Sequence, residues 1–180
     1  MKPLSRSKII YVASDHAGYQ LKQKVINYLN QEQIRFAISQ IVDLGCESDS
    51  ISVDYPDYAN KLAYIIGEQN DCKKSNPQTN ENPTTLKNVS YIGILICGSG
   101  IGISIAANRF HKIRAALCHN VKTAKLARQH NDANVLCLGA RIIKSNTALN
   151  IVKTFINNNF LGDRHESRVK KLAQQPKFKH

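Results

Sequence analysis

The chain has 180 residues, 42% of them apolar, and a formal charge of +12, enough for one domain with a core of its own. No apolar stretch approaches the ~18 residues of a membrane span. The basic Met1–Lys8 is followed by an apolar run of only Ile9–Ala13, too short for a secretory leader. Five cysteines, with no CxxC and no zinc spacing, predict thiols of a cytoplasmic protein and no metal site. The charge raises nucleic-acid binding. Basic residues, however, concentrate only in Arg164, Arg168, Lys170, Lys171, Lys177 and Lys179, with Phe178 alone among them. Attraction of a phosphorylated metabolite accounts for the charge equally well, and neither a nucleic-acid nor a membrane partner is expected.

Strand-length apolar runs alternate with helix-period segments. The expected strands are Lys8–Ala13, Phe36–Leu44, Tyr91–Cys97, Arg114–Cys118 and Asn134–Leu138. The expected helices are Gly18–Asn30, Asp57–Glu68, Ile101–Arg109, Val121–His130, Ser145–Asn158 and a short one over Glu166–Ala173. Such alternation predicts an α/β fold: a Rossmann-like three-layer α/β/α sandwich on a five-stranded parallel sheet of order 2-1-3-4-5, plus a C-terminal helix. One domain is expected over 1–175, with 176–180 a frayed tail. Gln69–Asn88 is polar, with Leu86 its one large apolar residue, and reads as a flexible surface insertion.

In such a sheet, ligands sit beyond the carboxyl ends of the strands, where the strand order reverses. The first strand ends there in Ser14-Asp15-His16-Ala17-Gly18. Asp15 is either a ligand or a helix N-cap, and His16 either faces the site or is a surface residue. After the second strand, Asp54-Tyr55-Pro56-Asp57 reads as a helix start with Pro56 in its first turn. Tyr55 is a candidate wall for a sugar pocket.

The third strand enters Cys97-Gly98-Ser99-Gly100-Ile101-Gly102. A glycine turn at a helix N-terminus makes a small anion cradle. Cys97 at its lip is a candidate base or nucleophile, because helix N-termini favour thiolates. The loop fits neither common nucleotide fingerprint. Ile103 stands where a dinucleotide site needs its third glycine, and no Gly-Lys pair followed by Ser or Thr is present.

Further on, Arg128-Gln129-His130-Asn131-Asp132 closes the fourth long helix. That helix returns to the amino end of the sheet, about 17–20 Å from the carboxyl ends. His130 should therefore not reach Cys97 of its own chain. Arg141 follows the fifth strand. Arg164 and Arg168, four apart, share a face if helical and suit a phosphate, or else form a solvated basic helix.

Together these motifs resemble the type B ribose-5-phosphate isomerases of the ribose/galactose-phosphate isomerase family. The matching pieces are SDHAGYQLK (14–22), VDLG (42–45), DYPDYA (54–59), GILICGSGIGISIAANRF (93–110), IRAALC (113–118), ARQHNDANVLCLGAR (127–141) and GDRHESRV (162–169). They stand in the family's order and span nearly the whole chain, interrupted by the 69–88 insertion. The resemblance implies interconversion of ribose 5-phosphate and ribulose 5-phosphate through a cis-enediolate, without cofactor or metal. It implies a homodimer, in some members paired into a tetramer, with sites shared between subunits. Cys97 would move the C2 proton, Ser99 would shuttle the O1/O2 proton, and His130 would open the furanose ring. The backbone of Gly98, Gly100, Ile101 and Gly102 would hold the enediolate oxygen. Asp15, Tyr55 and Asn131 would bind sugar oxygens. His16, Arg141, Arg164 and Arg168 would hold the phosphate, with His165 orienting Arg164. A hexose 6-phosphate isomerase for allose or galactose 6-phosphate, and a non-catalytic sugar-phosphate binder, are the competing readings.

Overall fold

The computed structural model describes residues 6–72, 89–172 and 174. It contains β1 (Ser7–Ser14), α1 (Tyr19–Gln31), α2 (Gln33–Phe36), β2 (Ile38–Asp43), α3 (Tyr55–Cys72), β3 (Val89–Cys97) and α4 (Ile101–Ala107). There follow β4 (Ala115–Leu117), α5 (Val121–Asn131), β5 (Val135–Gly139), α6 (Ser145–Asn157) and α7 (Glu166–Leu172). Single 3-10 turns, His16–Gly18 and Asp163–His165, precede α1 and α7.

All five strands are parallel, as expected, with helices on both faces. The order is β2-β1-β3-β5-β4, not 2-1-3-4-5. Burial explains the exchange. β5 is Val-Leu-Cys-Leu-Gly with every residue buried, which suits an interior strand. β4 is only Ala-Ala-Leu and half-buried, so it takes the edge. The reversal of strand order still lies between β1 and β3.

Strand alternation sorts side chains onto two faces. Ile10, Val12, Ile92, Ile94, Ile96, Leu136 and Leu138 pack with residues of α1, α5 and α6, among them Val25, Leu29, Ala124, Ile151 and Phe155. On the other face, Tyr11, Ala13, Tyr91, Leu95, Cys97, Val135 and Cys137 meet α3 and α4 through Leu62, Ala63, Ile66, Ile103 and Ala107. Helix α3 lies close on the sheet because Gly93 has no side chain there. A Cβ on it would stand 2.7 Å from Leu62.

Two boundaries differ from expectation for local reasons. Phe36 ends α2 instead of opening β2, and Ala37 turns the chain with φ 53° before the strand begins. Helix α3 runs on to Cys72 and so takes in the first residues of the expected insertion. The remainder of that segment, 73–88, and the tail 176–180 lie outside the described residues. Among the described residues no helix is long and apolar enough to cross a membrane.

Candidate active site

The carboxyl ends of β1, β3 and β5 meet in one place, since Ser14 pairs with Ile96 and Cys97 with Gly139. Cys97 is buried at 4% exposure, and its Sγ accepts the Gly100 N–H at 3.1 Å. An N–H aimed at sulfur is a bond that a thiolate accepts more strongly than a thiol does. The turn that brings this amide round needs glycine. Gly100 has φ 78°, and a Cβ there would stand 2.5 Å from Leu117 and 2.8 Å from the Leu138 carbonyl carbon. Ser99 Oγ accepts the Ile101 N–H at 3.2 Å, so the hydroxyl is held beside the loop. The end of β5 ties the same loop down. Ala140 N–H donates to Cys97 O and Arg141 N–H to Gly98 O, both at 2.9 Å. The Arg141 side chain runs past Gly98, whose Cβ position lies 3.5 Å from its Nη1.

Asp15 is the N-cap that one of its two readings expected. Its Oδ1 caps the 3-10 turn by accepting Gly18 N–H at 2.9 Å, and the residue is 6% exposed at the same strand end as Cys97. The turn presses onto β3 because Gly18 is bare; a Cβ would lie 2.5 Å from Ile96 O. His16 also reaches this edge. Its Nδ1 lies 3.1 Å from Val53 N and 3.2 Å from Val53 O, so the main chain of Val53 holds that edge of the ring and Nε2 is left for a ligand. Tyr55 begins α3 and lays its ring over Gly102, where a Cβ would stand 2.5 Å from Cζ. Both residues also line a cavity of about 620 Å³ between α3 and α4, together with Asn60, Ile105, Arg109 and Phe110. Cys97 does not line it.

Sequence reasoning missed the support of this edge. Lys22 is 1% exposed and bonds both oxygens of Asp43, at 2.5 and 2.6 Å. Asp43 Oδ1 also accepts Gly45 N–H at 2.9 Å. Gly45 O accepts Ser14 N–H, and Ser14 O accepts Cys46 N–H, both at 2.8 Å. The ion pair thus fastens the chain leaving β2 to the residue before Asp15. A signal for it existed. Leu21, Lys22, Val25 and Leu29 share the buried stripe of α1, and a lysine on such a stripe calls for an anion.

The other expected residues gather at the amino end of the sheet. His130 and Asn131 close α5, and Asp132 ends it in the left-handed region with φ 46°. Asp132 is gripped by Arg114 at 2.7 Å and by Arg128 at 3.3 Å. Arg128 also donates to the Ala133 carbonyl. The chain returning from α6 is tied alongside, with Leu161 N–H donating to Gln129 O at 3.1 Å. The turn Asp163–His165 then stacks the His165 ring on His130, with centroids 4.1 Å apart and planes 11° apart. Burial pushes the His165 imidazole below its usual range. The positive charges of His130, Arg164 and Arg168 add to this, and Asp163 opposes it. Arg164 and Arg168 stand exposed around it.

From Val135, level with Gly93, to Gly139, level with Cys97, is four residue steps, about 13 Å. His130 lies before the first of these. The chain therefore brings Cys97, Ser99, Asp15, His16, Tyr55 and Arg141 together at one end and His130, Asn131, Arg164, His165 and Arg168 at the other. It does not join the two groups. Among the described residues no cluster of His, Cys, Asp or Glu could hold a metal ion. Cys118, pushed up to about 11 by burial, and Cys137, well above the usual thiol range for the same reason, stay protonated.

Comparison with known proteins gives this division a context. The ribose/galactose isomerase family model matches residues 10–74 and 84–172, leaving 75–83 unmatched inside the polar segment. A Mycoplasma pneumoniae protein named a probable ribose-5-phosphate isomerase B is 43% identical over 164 residues, 91% of each chain. The solved ribose 5-phosphate isomerase B of Anaplasma phagocytophilum is 40% identical, with a TM-score of 0.75 over 93% of this chain and 98% of that one. That of Mycoplasma genitalium, solved with bound ribulose-5-phosphate, is 36% identical, with a TM-score of 0.77 over 93% and 95%. With the family model matched over most of its length, the chain belongs to the ribose/galactose isomerase family.

Proposed function

We propose that the protein interconverts D-ribose 5-phosphate and D-ribulose 5-phosphate, at sites completed by a second copy of the chain. The observation that carries this reading is the split itself. One end of the sheet offers a base and an oxyanion cradle, Cys97 with the Gly98–Gly102 loop; the other offers His130 with Arg164 and Arg168. Each group lacks what the other has. An exposed apolar face on α3 and α4 supports the pairing. Tyr64 and Ile105 are each 63% exposed and Ile101 is 54% exposed, with Ile101 four residues from Cys97. A symmetric dimer seated there makes two equivalent composite sites.

In the composite site the partner's His130 takes the proton of the anomeric hydroxyl and returns one to the ring oxygen, opening the furanose. The Cys97 thiolate then removes the C2 proton. The electron pair moves into the C1–C2 bond and onto O1, giving a cis-enediolate held by the loop amides, each worth roughly 3–4 kcal/mol in the transition state. Ser99 passes the O2 proton to O1, and the Cys97 thiol returns its proton to C1. Asp15, Tyr55 and the partner's Asn131 bind sugar oxygens. The phosphate is held by Arg141 and His16 Nε2 and by the partner's Arg164 and Arg168. Cys46, Cys97, Cys118 and Cys137 are free thiols, which supports a reducing compartment, the cytoplasm.

Mixing inactive Cys97→Ala and His130→Ala proteins tests the shared site. Random exchange makes half the dimers mixed, each with one intact site, so about a quarter of wild-type activity is expected to return. No recovery after subunit exchange has been verified sinks the shared site. The ratio of kcat/KM for ribose 5-phosphate over allose 6-phosphate decides between pentose and hexose.

A further inference from the structure

We propose that His165 is a positioning residue for the ring-opening step, its imidazole lying flat on His130 and setting the plane in which His130 exchanges protons with substrate. The inference rests on the role given above to His130. Among the described residues, none hydrogen-bonds the His130 ring, so both of its nitrogens are open to substrate. What orients it is the parallel ring 4.1 Å away.

The main chain fixes that second ring. Gly162 at φ 72° and Asp163 at φ 46° make the sharp turn, His165 N–H closes it onto Gly162 O at 3.0 Å, and Leu161 is bonded to the last turn of α5. His165 is 7% exposed, whereas the arginines beside it are exposed. Arg164 Nε–H points at His165 Nε2 at 3.4 Å, an approach that needs a lone pair there and puts any single proton on Nδ1. A side chain that holds a phosphate has to donate hydrogen bonds to it, whereas this nitrogen accepts one.

The chemistry favours a neutral ring in this place. His130 must pick up and release a proton while its plane stays put. A neutral imidazole stacks on a neutral partner and attracts a cationic one through its π face. Two imidazolium rings at this distance would repel. Burial, and then the charges of His130, Arg164 and Arg168, shift His165 in the direction of the neutral form.

The test compares His165→Phe with His165→Ala on two substrates. Ribose 5-phosphate must be opened. Erythrose 4-phosphate has its O4 phosphorylated and no hydroxyl to close a furanose, and its C2 proton exchange is read by solvent deuterium wash-in. A misoriented acid–base group costs up to about a hundredfold, so His165→Ala should lower kcat on ribose 5-phosphate by at least about tenfold more than it lowers deuterium wash-in. His165→Phe, which keeps the flat ring, should recover at least about a third of wild-type kcat. Equal losses on both substrates, or a phenylalanine variant as poor as the alanine one, would overturn the proposal. The phenylalanine arm decides even if the alanine variant fails to fold. Full activity of His130→Ala on ribose 5-phosphate would instead remove the ring-opening role of His130 itself, a separate failure.

Discussion

At the carboxyl end of the sheet the proposed reactive groups are fixed by main chain. Cys97 ends a buried strand, its sulfur takes a backbone N–H, and the loop after it is pinned by two further backbone bonds from the end of β5. At the amino end the proposed ring-opening group, His130, sits on the last turn of a helix with the ring of His165 stacked on it. The two means suit two tasks. A developing oxyanion needs several dipoles held rigidly, and backbone amides between strands supply them without side-chain entropy. A proton shuttle needs an imidazole whose nitrogens stay free, and stacking orients a ring without occupying them.

This contrast can be broken from either end. The largest effect is expected from Cys97→Ala, which should lower kcat by at least about a thousandfold while calorimetry still shows ribose 5-phosphate binding. Activity near wild type would remove the base from the carboxyl end. Gly100→Ala comes next, because it attacks the backbone geometry alone. A side chain at φ 78° against Leu117 and Leu138 should cost at least about 2 kcal/mol of stability and most of the activity, read by thermal melting and kcat. A variant as stable and active as wild type would show that the loop tolerates rearrangement.

A milder effect is expected from Lys22→Met. Asp43 is 40% exposed and keeps its Gly45 contact, so roughly 1–2 kcal/mol should be lost rather than the ~3–5 of a fully buried pair. KM should rise more than kcat falls, because the strand end that carries Asp15 loosens. The smallest effect concerns pH. His165 is held below its usual range, so near and below about pH 6.5 the unfolded chain binds a proton that the folded one does not. Stability should therefore fall as pH drops through that value, and level off once the folded ring is itself protonated. Melting temperatures of wild type and His165→Phe from about pH 8 to about pH 5 should diverge in that direction, wild type losing more. Parallel curves would place the charge elsewhere.

Much of this is legible in the amino-acid order. Apolar runs set the strands, and the motifs name residues that stand in two tight groups. The reversed places of β4 and β5 are not legible there, because periodicity describes one strand at a time. Which strand is central depends on how much of each is covered, and the shorter Ala115–Leu117 yields to the fully buried Val135–Gly139. The clamps escape for a related reason. Lys22 with Asp43, and Arg114 and Arg128 with Asp132, are charges that look like solvated surface until the partner's position is known. The His130–His165 stack joins residues thirty-five apart, and only the turn at Gly162 and Asp163 brings them face to face.

The arginines at the amino end carry one more consequence. Among the described residues neither Arg164 nor Arg168 forms an ion pair, and both add positive charge around the His165 imidazole. Under the proposed function these like charges, opposed only by Asp163, gain a counter-ion in the phosphate ester of the substrate. Substrate then acts as a folding ligand: at about a hundred times its Kd it adds roughly 2.7 kcal/mol to stability. On that proposal, resistance to proteolysis should rise with ribose 5-phosphate concentration.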